Sequence, residues 1–452
     1  MSPVRKLTEQ TVLFVSVVKW FLLASVVGGL VGSSTALFLR LLDLATGAVG
    51  RLPLHVLALP FALFASAALV HYLAPEAKGH GTEKVIEAVH QRSGRIPLQV
   101  VPVKLAATVI TLAAGGSAGK EGPCAQIGAG LASAFADLLR FDAEDRKKLV
   151  VCGISAGFAA VFGTPIAGSI FGVEVLFVGG MMYGVLLPSF VAGITAHQVA
   201  AALGTSYVRT AVHDLPPFSE PLLLTVLAAG VFFGLCSLLL IEALRGGHAL
   251  ARRWKIWPPL QALAAGVLLV ALSAAFSARY LGLGLETVED ALAGATIPWY
   301  AFLLKPLFTT LTLNFGGSGG IVTPVFFVGA TAGAAFAQVF DLAVPVFAAL
   351  GLVSVLSGAA NTPIAASILA VEMFGPAIAP YAAVACIISF LMTGHRSVYP
   401  SQILSIAKSS SLQVGLGQEI NQTTPVYAPR RRTLLAALSA AWRSVTRRIR
   451  RD

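Results

Sequence analysis

Charged side chains are scarce in this sequence. Asp, Glu, Lys and Arg make up only 12% of the 452 residues, about half the share usual for a soluble domain, whereas 56% of the residues are hydrophobic. This balance excludes a water-soluble globular protein and makes lipid the solvent for most of the chain. Apolar runs of eighteen or more residues are each long enough to cross a hydrocarbon core roughly 30 Å thick as a helix. They include residues 11–39, 222–244 and 342–371.

The apolar runs lack period-2 alternation, and the chain has few cysteines. Without alternation a transmembrane β-barrel is excluded, so the sequence predicts an all-α polytopic membrane protein. The four cysteines lie in apolar segments without metal-ligand or redox spacing, which is typical of buried thiols. The histidines form no metal-binding pattern such as H-E-x-x-H. We therefore expect neither a metal site nor a cofactor.

The net charge of +11 is concentrated at the C-terminus, where eight arginines and one aspartate follow position 429 and contribute +7. In a membrane protein such a tail is expected to meet anionic lipid at the cytoplasmic surface rather than nucleic acid. Its apolar residues fall at helical spacing, which indicates a helix lying in the membrane interface. These residues are Leu434, Leu438, Trp442, Val445 and Ile449.

The chain contains an internal repeat. Residues 164–174 recur as residues 362–372 with eight of eleven positions identical, at an offset of 198. Upstream, Gly115-Gly116-Ser117-Ala118-Gly119 is echoed by Gly316-Gly317-Ser318-Gly319-Gly320 at an offset of 201, with Lys104 and Lys305 eleven residues before each cluster. Two matches in the same order predict a duplicated plan.

The repeat and the charge distribution define the predicted organisation. The predicted loop around residues 47–55 carries one arginine, Arg51, whereas the equivalent predicted loop at residues 245–255 carries four basic residues. The positive-inside rule places the second segment in the cytoplasm and the first outside, so the halves are inverted and both termini are cytoplasmic. The predicted regions are a cytoplasmic N-terminus (1–10), a first membrane repeat (11–204), an extracytoplasmic linker (205–219), a second membrane repeat (220–408) and a basic cytoplasmic tail (409–452).

The two glycine clusters, each followed by proline, predict helix breaks at residues 115–123 and 316–324. In inverted-repeat transporters, broken helices of the two halves meet near the membrane midplane and bind the substrate there. Helix N-termini offer unpaired N–H groups and partial positive charge, and glycine allows close approach of an anion. Glu121 lies between glycines at such a start, where a carboxylate is a tethered anion that can occupy the ion's place. We therefore predict Glu121 as both gate and proton carrier.

These motifs make the chain resemble the CLC family of chloride channels and chloride/proton exchangers. Gly119-Lys120-Glu121-Gly122-Pro123 is similar to the family's G-(K/R)-E-G-P signature. Gly320-Ile321-Val322-Thr323-Pro324 is similar to its G-x-F-x-P signature, with Val322 in place of phenylalanine. Gly79-His80-Gly81-Thr82-Glu83 loosely matches its G-S-G-I-P signature, and Tyr399 resembles the tyrosine that helps coordinate the central anion. The matches follow family order from about Gly29 to Leu404.

The resemblance implies about eighteen helices, many not fully spanning, and a homodimer with one pore in each subunit. Chloride is the expected transported ion, and the chain is not expected to be an enzyme. The 44 residues after Lys408 are too few for a regulatory nucleotide-binding domain pair, which indicates a compact member in a prokaryotic plasma membrane. The expected anion-binding residues are His80, Gly119, Lys120, Glu121, Gly122, Gly320, Ile321, Val322 and Tyr399.

Four questions stay open at this point. Glu174 aligns with the first of two glutamates in family exchangers, but Val175 replaces the second, which delivers protons internally; channel and exchanger are therefore both compatible with the sequence. Glu174 and Glu372 are equivalent in the repeat, which favours a shared structural role such as helix capping.

His80 replaces the usual serine and can donate a hydrogen bond or take up a proton. Finally, Gly153-Ile154-Ser155-Ala156-Gly157 fits the G-x-S-x-G pattern of serine hydrolases, a remote alternative without an evident base.

Overall fold

The computed structural model describes residues 3–51, 55–207 and 219–428. Sixteen α-helices lie within these residues, against the eighteen expected, and the mostly helical architecture confirms the predicted fold class. In chain order they are α1 (Pro3–Gly50), α2 (Leu59–Leu73), α3 (Thr82–Gln91), α4 (Val100–Ala113), α5 (Glu121–Leu138), α6 (Ala143–Phe162), α7 (Pro165–Glu174), α8 (Leu186–Ala202), α9 (Glu220–Arg253), α10 (Pro258–Ala275), α11 (Leu285–Leu292), α12 (Ala301–Asn314), α13 (Val322–Val339), α14 (Val344–Ala360), α15 (Pro363–Phe374) and α16 (Ala379–Met392).

Six helical stretches of the described chain are long and apolar enough to cross a membrane. They are Thr8–Gly50, Val56–Leu73, Tyr183–Ala202, Glu220–Arg253, Pro258–Ala275 and Val322–Val339. The remaining helices are shorter, or too polar over their length, and pack between the six. The helices of both kinds belong to one buried apolar core, which includes all four cysteines as free thiols, as predicted.

Two sequence-based boundaries were wrong. The apolar run 342–371 is not one span, because it divides into α14 and α15 at Asn361, whose φ of 56° lies in the left-handed region and ends the first helix. Pro363 then opens the next helix, where its missing N–H costs no hydrogen bond. The basic segment 245–255 is largely the last turns of α9 rather than a loop, since α9 continues to Arg253.

The halves repeat one packing plan, which depends on small residues. In the first half, α5 lies against α6 at Gly128, where a Cβ atom would stand 2.5 Å from the carbonyl oxygen of Gly153. In the second half, α13 lies against α14 at Gly329, where a Cβ atom would stand 2.4 Å from the carbonyl oxygen of Gly351. Close contact of this kind is how helices associate in lipid, where burial of apolar surface gives little drive.

Residues 397–428, which we call the C-terminal segment, fold back onto the helices. Two short ladders form there: β1 (Phe177–Val178) pairs in parallel with β2 (Ile403–Leu404), and β3 (Leu412–Gln413) pairs antiparallel with β4 (Val426–Tyr427). Lys408 donates to the Asn361 side chain and to the Phe390 carbonyl, both at 2.6 Å, and burial lowers the pKa of its ammonium group well below the ordinary value. The predicted interfacial helix between Leu434 and Ile449 and residues 208–218 of the predicted linker lie outside the described residues.

Candidate functional site

Two helices, α5 and α13, begin side by side, each directly after one of the helix breaks. The helix breaks predicted at 115–123 and 316–324 are present, and the backbones of Gly119 and Gly320 form an antiparallel bridge between them. Each glycine amide donates to the other's carbonyl, at 2.7 and 2.6 Å. A Cβ atom on Gly320 would stand 2.7 Å from the Gly122 amide nitrogen, so only glycine permits this approach. The bridge brings the positive ends of two helix dipoles together.

The Glu121 side chain crosses from the start of α5 to the start of α13. Glu121 is 1% exposed, and its carboxylate accepts hydrogen bonds from the Thr323 hydroxyl at 2.6 Å and from the Thr323 amide at 3.1 Å. A negative group therefore occupies the N-terminus of the second broken helix, where a free anion would also be favoured. Gly119 makes room for it, since a Cβ atom there would lie within 3.0 Å of both Glu121 and Thr323.

Sequence reasoning missed Thr323. The signal was available in the repeat: the offset of 201 pairs Thr323 with Gly122 and Val322 with Glu121. A hydroxyl at the second position of α13 can donate to an anion at that helix start, in addition to the amide of the same residue.

A second set of polar groups surrounds Tyr399. The rings of His80 and Tyr399 lie 5.9 Å apart between centroids. The Nδ1 atom of His80 is buried and has no hydrogen-bond partner among the described residues. The hydroxyls of Tyr399 and Thr82 are also buried and lie close to each other, without a hydrogen bond of ordinary geometry to any described residue. Buried polar atoms are nearly always paired, so a group of unpaired ones marks a place for a ligand. Hydroxyl and imidazole donors suit a small anion.

The loop that carries His80 is held by a buried lysine. Gly79 and Gly81 have φ angles of 84° and 80°, which permit the tight turn around His80. The Lys104 ammonium donates to the Gly79 carbonyl at 2.6 Å and the Ala77 carbonyl at 3.1 Å. It therefore fixes the loop by hydrogen bonds to backbone carbonyls and forms no ion pair with any described residue.

The same device recurs in the second half. Lys305 donates to the carbonyls of Tyr280 and Gly282, at 3.1 and 2.9 Å. This places Leu283 at the position equivalent to His80, a correspondence that sequence comparison missed. Val322 is likewise the repeat equivalent of Glu121. The two halves therefore share a backbone arrangement but differ in side chains: the first half supplies the imidazole and the carboxylate, and the second supplies a helix N-terminus.

Reciprocal hydroxyl contacts join the halves beside the site. The Thr312 hydroxyl accepts from the Ser117 amide at 3.0 Å, and the Thr111 hydroxyl accepts from the Ser318 amide at 3.1 Å. Each contact and its counterpart are related by the offset of 201. An exchange of equivalent contacts in both directions is what a two-fold relation between the halves produces.

Glu174 and Glu372 form a second reciprocal pair. The Glu174 carboxylate accepts from the amides of Ile364 and Ala365 at 3.1 and 2.8 Å, which caps α15. The Glu372 carboxylate accepts from the amides of Ile166 and Ala167 at 3.1 and 2.7 Å, which caps α7. Both oxygens of Glu174 are thus used in helix capping, the role that the repeat favours. Val175 beside it is fully buried and apolar.

This geometry predicts matched losses of stability. Removing either carboxylate, as Glu174→Ala or Glu372→Ala, leaves two amides at a helix start without acceptors and should lower the free energy of unfolding by about 2 kcal/mol. Unfolding of the purified protein in detergent measures the effect, with the exposed Glu289→Ala on α11 as control. A loss confined to one of the two variants would contradict equivalent capping.

Ser155 lies in the interior of α6, a helix of twenty residues, and not at a strand-to-helix turn. Its side chain is fully buried and donates to the Ser169 carbonyl at 3.1 Å. A nucleophile elbow requires an exposed hydroxyl on a sharp turn. The serine hydrolase alternative is therefore not supported.

Comparison with known proteins decides the family. Residues 61–394 match the family model described as voltage gated chloride channel, which is well over half of the chain. The chain belongs to the CLC family. A chloride/fluoride channel protein of Pseudomonas syringae pv. tomato is 39% identical over 415 residues, covering 90% of this chain and 91% of the relative. The voltage-gated ClC-type chloride channel ClcB of Escherichia coli is 29% identical over 406 residues, covering 84% and 91%.

Solved structures agree. The crystal structure of a CLC-type fluoride/proton antiporter has a TM-score of 0.81 and 29% identity, covering 86% of this chain and 98% of that one. A slow cyanobacterial Cl⁻/H⁺ antiporter has a TM-score of 0.72 at 19% identity, which supports the fold alone. The chain is thus an integral membrane CLC protein that transports anions and is not an enzyme. Within this fold, Val322 lines a small apolar pocket together with Phe162 and Leu356.

Proposed function

We propose that each subunit moves a small inorganic anion through a pathway gated by Glu121. The observation that carries this proposal is the buried Glu121 carboxylate hydrogen-bonded at the start of α13. A carboxylate there competes with a transported anion for the same amide and hydroxyl. When it takes up a proton it loses the charge that holds it, and the place becomes free for the ion.

The central anion would sit between His80, Tyr399 and the start of α13. Ile321 is the N-cap residue of α13 and Val322 its first residue, so neither amide has an acceptor within the helix. Together with the buried ring of His80 and the buried hydroxyl of Tyr399, these amides offer donors without a full positive charge at the ion. Partial charges of this kind permit binding that is weak enough for release. Gly119, Lys120, Gly122 and Gly320 would shape the site through their backbone.

Chloride and fluoride are the candidate ions. The Pseudomonas syringae relative is named a chloride/fluoride channel protein, the Escherichia coli relative a chloride channel, and the 29% identical structure a fluoride/proton antiporter. We expect the ion itself to be the only ligand, without a cofactor.

Exchange of the anion against protons is the second candidate function. The likeness to a fluoride/proton antiporter favours it, and Glu121 can carry a proton. Two observations argue against a separate inner proton acceptor: Val175 is apolar, and both carboxylate oxygens of Glu174 are used to cap α15. Anion flux recorded together with pH in proteoliposomes distinguishes the two. Uphill proton movement driven by an anion gradient establishes exchange, and anion flux without it establishes a channel.

The assembly we propose is a homodimer in a prokaryotic plasma membrane, with both termini cytoplasmic. Helices α7 and α15 have ten and twelve residues, which is too short to cross the hydrocarbon core. Each nevertheless exposes an isoleucine, Ile166 at 44% and Ile364 at 50%. The N-terminal amides of both helices are already capped by Glu372 and Glu174, so the part left uncovered is the apolar side chains. A second copy of the chain would cover these exposed isoleucines.

Removal of single donors tests the central site. Tyr399→Phe and His80→Ala should each weaken anion binding about five-fold, because each deletes one hydrogen bond to the ion worth about 1 kcal/mol. Calorimetric titration of the purified protein with chloride and with fluoride measures it, and Tyr183→Phe, an exposed tyrosine before α8, is the matched control. Unchanged binding of both ions in both variants would refute this location.

A further inference from the structure

The carboxylate of Glu83 has no part in the pathway described above. Glu83 is the second residue of α3 and directly follows the loop that carries His80. Its Oε1 atom accepts a hydrogen bond from the Ser401 hydroxyl at 2.6 Å and from the Ser401 amide at 3.1 Å. Ser401 lies two residues after Tyr399. One carboxylate therefore connects the two chain segments, 318 residues apart, whose side chains face each other at the candidate site.

The connection matters because Tyr399 lies in an irregular part of the chain. The Tyr399 amide donates to the Ser397 hydroxyl at 2.9 Å, and the Gln402 side chain donates to the carbonyls of Val175 and Ala360, both at 2.8 Å. These contacts fix the segment to itself and to α7 and α14. The bonds from Ser401 to Glu83 join the part of the segment next to Tyr399 to the start of α3, and hence to the His80 loop.

The charge of Glu83 is unfavourable in this place. Its direct donors are the neutral amide and hydroxyl of Ser401, and Glu83 forms no ion pair with the described residues. A negative charge beside an anion site opposes anion binding, so any benefit of this side chain must come from the geometry it maintains. An amide side chain of the same shape keeps an oxygen acceptor and loses the repulsion.

We propose that Glu83 is a positioning residue for anion binding, which holds Tyr399 against His80 through Ser401. The proposal rests on the central anion site proposed above. In this proposal, Glu83 keeps the distance between the His80 and Tyr399 donors fixed. Removing the oxygen acceptor of Glu83 should therefore weaken anion binding, whereas removing only its negative charge should not.

Four variants test the proposal, with chloride and fluoride affinity measured calorimetrically and anion flux measured against concentration in proteoliposomes. Glu83→Ala should weaken anion binding about ten-fold, through KM rather than through the maximal rate, because both donors of Ser401 lose their acceptor. Glu83→Gln should bind at least as tightly as the unmodified protein. Ser401→Ala, which keeps the amide donor, should lose about three-fold.

Gln91→Ala is the matched control. The Gln91 side chain donates to Glu419 at 2.6 Å, which joins the far end of α3 to the same C-terminal segment away from Tyr399. It should leave affinity unchanged. Normal affinity in both Glu83→Ala and Ser401→Ala, or an equal loss in Glu83→Ala and Glu83→Gln, would overturn the proposal. If Glu83→Ala fails to fold, Ser401→Ala and Glu83→Gln still decide it.

The failure of the inference is distinguishable from failure of the proposed function. If Tyr399→Phe and His80→Ala leave anion binding unchanged, the central site itself is wrong. If they weaken binding while Glu83→Ala and Ser401→Ala do not, the site stands and only the role of Glu83 is refuted.

Discussion

Glu121→Gln is expected to raise anion flux about ten-fold near neutral pH and to remove most of its pH dependence. In the unmodified protein the Glu121 carboxylate occupies the anion position at the start of α13, where it accepts hydrogen bonds from the amide and hydroxyl of Thr323. Charged hydrogen bonds are stronger than neutral ones by about 1 kcal/mol or more, so a neutral amide competes less well with the ion. Flux in the unmodified protein should rise as the pH falls, because protonation removes the same charge.

The measurement is anion efflux from proteoliposomes across a pH series, with matched amounts of folded protein. Glu144→Gln, which neutralises an exposed carboxylate paired with Lys147 on α6, is the control and should behave as the unmodified protein. Flux that stays low and pH-sensitive in Glu121→Gln would refute the gating role.

Gly122→Ala is expected to abolish transport and to lower the free energy of unfolding by about 3 kcal/mol. A Cβ atom at this position would stand 2.1 Å from the His80 carbonyl oxygen and 3.0 Å from the Cα atom of Gly320. Both neighbours are backbone, so the overlap cannot be relieved by rotation of a side chain. The His80 loop or the bridge between α5 and α13 must move.

Unfolding in detergent and anion flux in proteoliposomes together test this expectation. The matched control is Gly246→Ala on α9, where an added Cβ atom meets nothing within 4 Å. It should retain flux, and its stability should rise slightly because alanine favours helix. A Gly122→Ala protein with ordinary flux and stability would show that the close approach is not required.

The broken helices illustrate how far a single sequence can lead. The glycines and prolines at 115–123 and 316–324 predict the two helix breaks, because glycine permits irregular backbone and proline interrupts a helix. The run 342–371 was wrongly predicted as one span, because its break has no cluster of glycines to mark it. Its break depends on Asn361 adopting a left-handed conformation, and one asparagine in an apolar run gives little warning of that.

Glu174 shows that the partners of a buried polar residue cannot be predicted from a single sequence. The repeat placed Glu174 and Glu372 in equivalent positions and favoured a shared structural role, but the partners could not be read from the sequence. Each carboxylate caps a helix in the other half, about 200 residues away. Local patterns carry no information on such contacts, since they arise only when the two halves pack together.

The sequence by itself determined the membrane class, the duplication, the two helix starts and the position of Glu121 at the first of them. These depend on composition, on repetition and on the conformational limits of glycine and proline, all of which act locally. The tertiary structure alone decided that Glu121 is bound by Thr323 and that Tyr399 faces His80. It also decided that Glu83 meets Ser401. Each of these contacts joins residues from distant parts of the chain, and their partners are selected by how the two halves pack around the Gly119–Gly320 bridge.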